Sequence, residues 1–536
     1  MPHQDTDNVS SGGTTSSGAT APGTTAPKTA PGSTAPVKPT PAGVAALTRR
    51  SALKTAGALA AALTTLELVG RGTTVPVRMP LDASLAASSL PDIQFDIGNY
   101  IAAAQTINNV LVRFGPISTT FLTAKLLRTP TKSDQTMLAN ALNTIEANYP
   151  FAAGGIFTFV SYGIPYFNRL PGGLTGSLVS SRMPRLASNS SRYALEEAVP
   201  SPTDVSPKNP GITKLNFNVP VAIESNDLLF TVRGDDSSYV ADVVAWLGGS
   251  GTISGRPIAS PAFGGLLRFT SSRAMFQAMG LPRYVAGANS LPFASFVNPQ
   301  SPMWMGFTDQ QVDGSGPAAI TTFAGNSSAH LTTAKAGDYF DNGAIQHLAH
   351  DILDMAQFFD LDAGGTPGDD GTYLERVQYM FRSTPPPSQG NSDQFTNGGG
   401  PAFLDNVFQG TNDAAISAQG IGTPGSEHRM GHLSTLQRSS RAADGTAIHI
   451  RMDGPGFDNM DVPNGSSQPK LQFTVFVPSA DFFTTMRSNQ ASLDLQAKYA
   501  VDPSDNGLER FITATRRQNF LVPPRRNRAF PLVELA

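Results

Sequence analysis

Along this chain, short runs of β-branched and aromatic residues alternate with stretches whose apolar positions recur every three or four residues. Val110 to Leu127 carries Val, Phe, Ile, Thr and Leu with little charge and reads as a strand or paired strands. Pro130 and Ser133-Asp134 then mark a helix start, Leu138, Leu142, Ile145 and Tyr149 follow at helical spacing, and Pro150 ends the run. Gly155 to Tyr162 returns to strand. Asp227 to Arg233 is a further strand, and Ser237 is read as the cap of a helix with Val240, Val243, Val244 and Leu247 on one face. Leu266 to Thr270 closes this set as a strand.

The same grammar returns near the C-terminus. Leu471, Phe473, Val475 and Val477 alternate along a strand, Ser479 to Gln496 is helical, and Gly507 to Thr515 leads into the strand Asn519 to Val522. Strand-helix-strand units in both halves predict two related α+β modules, each an antiparallel sheet with helices on one face. We place them at residues 91–290 and 291–536. Residues 363–445, rich in Gly, Pro, Ser, Asp and Asn, read as loop insertions.

The N-terminal region breaks this pattern. Residues 1–47 are almost wholly Ser, Thr, Gly, Ala and Pro, too poor in apolar side chains to offset the entropy of ordering, and are expected to be disordered. Thr48-Arg49-Arg50-Ser51-Ala52-Leu53-Lys54 follows, then a mildly apolar run from Ala56 to Val69 and the small residues Ala83 to Ala87. Two arginines before a short, weak apolar stretch form the pattern of a twin-arginine export signal, so 48–90 is read as signal and spacer with cleavage near residue 87. The apolar run is shorter than the roughly 20 residues a membrane-spanning helix needs, so no stable span is expected in the mature chain. The expected destination is the cell envelope or the exterior, by way of the twin-arginine machinery.

Composition narrows the chemistry. The 536 residues have a formal net charge of -3 and only 15% charged residues, which gives no electrostatic footprint for nucleic acid. Cysteine is absent, which excludes disulfides, thiolate metal sites and covalent haem attachment through C-x-x-C-H. A metal centre must use His, carboxylate or Tyr, and there are only seven His.

Three stretches hold polar residues in suggestive settings: Trp304 to Gln310, Gly431-His432-Leu433-Ser434, and Ile448-His449-Ile450-Arg451 with the Asp453 to Asp458 segment behind it. A fourth, Ala344 to Phe359, has helical apolar spacing. It would set His347, His350, Asp351 and Asp354 on one helix face, a possible metal site for a hydrolase or a metal-binding protein. No H-E-x-x-H or G-x-S-x-G pattern occurs.

In the order of these landmarks the chain, from about residue 93 to its end, resembles the dye-decolourising (DyP-type) haem peroxidases. The resemblance implies two ferredoxin-like modules of the dimeric α/β-barrel type, with haem b in the C-terminal one. Gly306-Phe307-Thr308-Asp309 looks like the start of that family's G-x-x-D-G motif, which would make Asp309 the distal acid-base group and place Gly306 and Phe307 against the cofactor. His432 looks like the axial iron ligand, and Arg451, nineteen residues later, like the distal arginine. The fifth motif position is Gln310 rather than Gly. Asp313, followed by Gly314, is therefore an alternative acid, and His449 and His428 are alternative ligands. The implied activity is peroxide reduction coupled to oxidation of a small organic donor, dye-like or phenol-like, with electrons drawn in from the donor through a surface Tyr or Trp such as Trp246 or Trp304. A haem- or iron-handling protein without turnover is the alternative on the same fold. A homo-oligomer is compatible with either.

Overall fold

The computed structural model describes residues 90–103, 105–107, 110–112, 115–299, 301–305, 318–325, 331–359, 361, 449–491, 493 and 509–536. The N-terminal module begins with β1 (Ser118–Leu126), followed by α1 (Lys132–Asn148), β2 (Phe157–Tyr162), β3 (Leu228–Gly234), α2 (Ser237–Leu247) and β4 (Leu267–Phe276). The C-terminal module has β5 (Ala344–Leu353), β6 (Ile450–Arg451), β7 (Gly454–Asp458), β8 (Gln468–Val477), α3 (Ala480–Ala491) and β9 (Ile512–Val522).

Local chemistry explains why α1 starts where it does. Thr131 accepts from the backbone N–H of Asp134 at 3.4 Å, and the Asp134 carboxylate accepts from Thr131 N at 2.7 Å, forming a reciprocal capping box. Arg128 grips the same carboxylate with two hydrogen bonds, of 2.5 and 2.7 Å. Leu138, Leu142 and Ile145 are fully buried beneath the helix, each burial favouring the fold by roughly 1.5–3 kcal/mol. The start of α2 differs by one position from the expectation. Asp236, not Ser237, is its cap, its carboxylate accepting from Ser238 N at 2.8 Å.

The main strands form one ten-stranded sheet with the path β6-β8-β5-β9-β2-β3-β1-β4, β7 also pairing with β8. Counting β6 and β7, which both pair with β8, as one position, the spatial order within each half is second, third, first, fourth, with all neighbours antiparallel: β2-β3-β1-β4 in one and β6-β8-β5-β9 in the other. This is the ferredoxin-like order twice over, and the α+β class with antiparallel sheets and helices on their faces stands. The far edges also meet. A side chain on Gly454 of β7 would strike Met275 at 2.9 Å, and one on Gly456 the Ala274 carbonyl oxygen at 2.9 Å, so only glycine lets β7 lie this close to β4.

The inner face of the curled sheet is one core from both halves, including Phe121, Phe159, Leu229, Leu348, Phe476 and Phe520. The helix-covered face is a second core, with Leu142, Val160, Phe230, Val243, Ile345, Val475 and Phe483. Because both faces are covered, β2, β3 and β5 are buried at every position and show no clean alternation of apolar and polar residues. Among the described residues no helix is long and apolar enough to cross a membrane.

Candidate functional site

One expected helix is a strand. Ala344 to Leu353 forms β5, and only Met355–Phe358 beyond it is helical. With all ten β5 positions buried, the apolar residues carry no phase information, and helix and strand cannot be told apart by period. The consequence for chemistry is direct. Residues three apart on a strand point to opposite faces, so His347 and His350 do not share a metal ion. Among the described residues no group of three or more His, Asp or Glu is placed to hold one.

His350 faces the sheet interior. Its Nδ1 lies 3.1 Å from Gln472 Oε1 and its Nε2 3.5 Å from Asp458, a carboxylate also 3.6 Å from Lys470 Nζ. Nearby, Arg516 holds Asp461 with bonds of 2.6 and 2.7 Å and meets Glu224, which Arg273 also grips. Of these pairs, Arg516–Glu224 crosses the seam between the two halves.

His347 faces the helix-covered side, and its register gives it company. His347 on β5 is opposite Val475 on β8 and Asn519 on β9, and Val475 is in turn opposite Arg451 on β6. Directly paired residues share a face, so Arg451, Val475, His347 and Asn519 form one row across four strands. The adjacent row, Ile450, Phe476, Gln346 and Phe520, belongs to the interior. Arg451 is partly buried, and His449, just ahead of β6, is buried.

The His347 imidazole is held in one tautomer. Asn519 Nδ2 donates to the Glu196 carbonyl at 3.0 Å, which turns Asn519 Oδ1 toward His347 Nδ1 at 2.7 Å as an acceptor. Nδ1 therefore carries the hydrogen, and Nε2 presents its lone pair, fully buried and without a hydrogen-bond partner. Phe483 of α3 stacks on the ring with 3.4 Å between centroids. Burial first, and the nearby Arg517 second, hold the His347 pKa well below the usual imidazole range, so the ring is neutral.

Along the same face Arg517 of β9 is fully enclosed and makes a bidentate pair with Asp204, at 2.7 and 2.9 Å. Burial alone would raise the Asp204 pKa, but the charge and hydrogen bonds of Arg517, with the Arg487 charge and the Ser201 N–H, together outweigh it and bring the carboxyl down to about 2. Arg487 of α3 binds Glu509 at 3.0 Å, and Thr203 donates to the same carboxylate at 2.5 Å. Asp351, at the register shift on β5, lacks a hydrogen-bond partner on one oxygen, and burial pushes its pKa up to about 6. Asp354 serves a structural end, capping the short helix and accepting from Asn216.

Sequence reasoning missed the Asp204–Arg517 and His347–Asn519 pairs. Their partners are 313 and 172 residues apart, and no local pattern signals such a pairing. Of the residues that the peroxidase resemblance assigns to the haem site, with their alternatives, Arg451 and His449 are described. Gly306, Phe307, Asp309, Gln310, Asp313, His428 and His432 lie outside the described residues, as do 363–445 and the export segment. Trp246 and Trp304 are not surface residues. Both are buried, their indole N–H groups donating to the carbonyls of Ile258 and Gly456. A cavity of about 450 Å³ lies elsewhere, between Leu186–Ser188, Leu331 and the start of α3.

Residues 188–524 match the family of unknown function DUF7405, more than half of the chain. The protein belongs to that family. The DUF7405 match spans β3 to β9 and includes Arg451, His347 and Asn519. No curated protein matches the chain. Among solved structures it is similar to a DyP-type peroxidase from Cellulomonas bogoriensis, with 12% identity, 78% of this chain and 93% of that one covered, and a TM-score of 0.43. It is also similar to a dye-decolorizing peroxidase from Bacteroides thetaiotaomicron, with 11% identity, 79% and 96% coverage and a TM-score of 0.41. The encapsulated DyP-type peroxidase of Mycobacterium smegmatis gives 14% identity, 79% and 96% coverage and a TM-score of 0.40. Likeness at that level assigns neither activity nor residue roles to the DUF7405 chain.

The described part of the Arg451 face suits a haem on its own chemistry. It offers a guanidinium at the sheet edge, an apolar floor at Val475 and Phe473, and a buried neutral imidazole with a lone pair to spare.

Proposed function

We propose that this chain is an exported haem-dependent peroxidase that reduces hydrogen peroxide and oxidises a small organic donor. The observation that carries the reading is the placement of Arg451. The residue nineteen positions beyond His432 lies on a strand of the second ferredoxin-like module and faces the side that also bears a buried polar cluster. On this reading His432 would hold the haem iron, and Gly306 and Phe307 would help bind the porphyrin.

Haem b, when bound, would supply the redox-active iron that peroxide reduction needs. The protein's own residues handle protons and charge. Asp309 moves a proton between the two peroxide oxygens, a task for a positioned acid-base group. Arg451, cationic at every working pH, donates hydrogen bonds to the oxygen on which negative charge builds. The twin-arginine segment at Arg49-Arg50 would deliver the chain folded and loaded. Changing both arginines to lysine should then retain it inside the cell, and unchanged export of that variant would remove this part of the reading.

The direct experiment is an absorption spectrum of the purified chain after haem addition, beside His432→Ala. The expected result is a Soret band near ~400 nm, the usual region for haem with an axial His, lost or shifted in the variant. A wild-type chain that shows no Soret band after loading overturns the peroxidase reading.

A further inference from the structure

The row that carries Arg451 carries a second group equipped to take a proton. His347 lies two strands away in the same row, with roughly 10 Å between the two backbones at ordinary strand spacing. We propose that His347 Nε2 is a second proton acceptor, beside Asp309, for a weak acid bound on this face between His347 and Arg451, hydrogen peroxide in the first place. The proposal rests on the haem-pocket reading of that face.

The argument is geometric. Three contacts fix the ring: Nδ1 on Asn519, Asn519 in turn on the Glu196 carbonyl, and the Phe483 ring stacked at 19° to the imidazole plane. Stacking covers the ring's flat face, and the in-plane lone pair of Nε2 is fully buried with no hydrogen-bond partner. Rotating the ring by half a turn would break the 2.7 Å bond, so Nε2 keeps its lone pair directed away from Asn519. A buried acceptor with no partner costs roughly 1–3 kcal/mol, a cost that a ligand proton on this face would remove.

The surrounding charges suit a base that returns its proton. Arg517 and Asn519 face His347 from β9, Arg487 from α3, and Asp204 from the segment between β2 and β3. Arg517 is paired with Asp204 and Arg487 with Glu509, so the set is balanced and leaves the imidazole neutral. In the step itself the O–H bond of the acid breaks and an N–H bond forms on Nε2. The anion left behind pairs with the Arg451 guanidinium, and the imidazolium, disfavoured by burial, gives the proton back. No electrons are transferred in this exchange.

Two measurements on the full chain test the proposal. Long-range 1H–15N spectra of the labelled protein, with His347 assigned by its loss in His347→Gln, should show Nδ1 protonated and Nε2 bare from about pH 8 to about pH 5, below the ordinary imidazole value of about 6.5. In the haem-loaded protein, cyanide must lose a proton to bind as the anion. Its association rate should fall about 100-fold or more in His347→Gln, the lower end for loss of an acid-base group, with the Soret band kept. If His347→Gln does not fold, Asn519→Leu should release the tautomer and slow cyanide to a lesser degree. An Nε2–H tautomer, protonation near the ordinary value, or a cyanide rate within about twofold of wild type overturns the role of His347 alone. Absence of a Soret band in wild type overturns the haem reading, and this proposal with it.

Discussion

The two halves share a strand order and differ in what they bury under their helices. In the N-terminal module the helix-covered face is apolar, with Leu122, Val160, Phe230 and Val232 beneath α1 and α2. In the C-terminal module the corresponding face places His347, Asn519, Arg517 and Asp351 among Val475 and Phe473. Equal topology therefore comes with unequal chemistry. An apolar face can be replaced by any well-packed set of similar volume, whereas buried polar groups must be matched partner by partner. The N-terminal module also contributes a wall: Asp204 and Glu196, from the connection between β2 and β3, close over the C-terminal sheet.

The sharpest way to test this contrast is to remove one partner from each face. Asp204→Ala strands Arg517 as an uncompensated buried charge and is expected to cost about 3–5 kcal/mol in denaturant unfolding. Replacing Asp204 and Arg517 together by Leu and Met should recover most of that loss, because the penalty is the unpaired charge rather than the missing pair. On the apolar face Leu142→Ala should cost about 2–5 kcal/mol through the cavity it leaves, with no second-site partner able to restore it. Similar recovery on both faces, or on neither, would erase the distinction between them.

A smaller effect concerns pH. Asp351 has its folded pKa raised to about 6, against about 3.9 for a free side chain, so the folded state holds the proton more tightly than the unfolded chain. Its contribution is fully present below about pH 4 and lost as pH rises through about 6. Asp351→Asn, neutral at every pH, should therefore flatten the stability profile between these values by ~2 kcal/mol, read from unfolding midpoints across that range. Asp204 works in the opposite sense. Its depressed pKa of about 2 contributes stability above about pH 4 that disappears as pH falls through about 2. An unchanged slope between pH 4 and 6 in Asp351→Asn would show that the carboxyl is ionised throughout and that the polar face is wetter than its burial implies.

The strand and helix grammar was legible because it is local. Thr131 and Asp134 cap α1 through atoms three residues apart, and the spacing of Leu138, Leu142 and Ile145 is enough to orient that helix. Repetition of the unit pointed to two modules for the same reason. Local signals failed at β5. A strand covered on both sides buries every side chain, and its apolar residues then match a helix as well as a strand, which is how His347 and His350 came to be placed on one face. The pleat separates them, leaving one among the interior charges and the other beside Asn519.

Sequence alone thus determined the element types outside β5, the doubling of the fold and the absence of cysteine chemistry, all properties of neighbouring residues or of composition. Tertiary structure alone decided that Arg451 and His347 share a row, that Asn519 selects the imidazole tautomer and that Asp204 neutralises Arg517. Each of these depends on register between strands and on loop paths that bring residues tens to hundreds of positions apart into contact. No local pattern in the chain encodes that register, because it is fixed by which faces the assembled sheet buries.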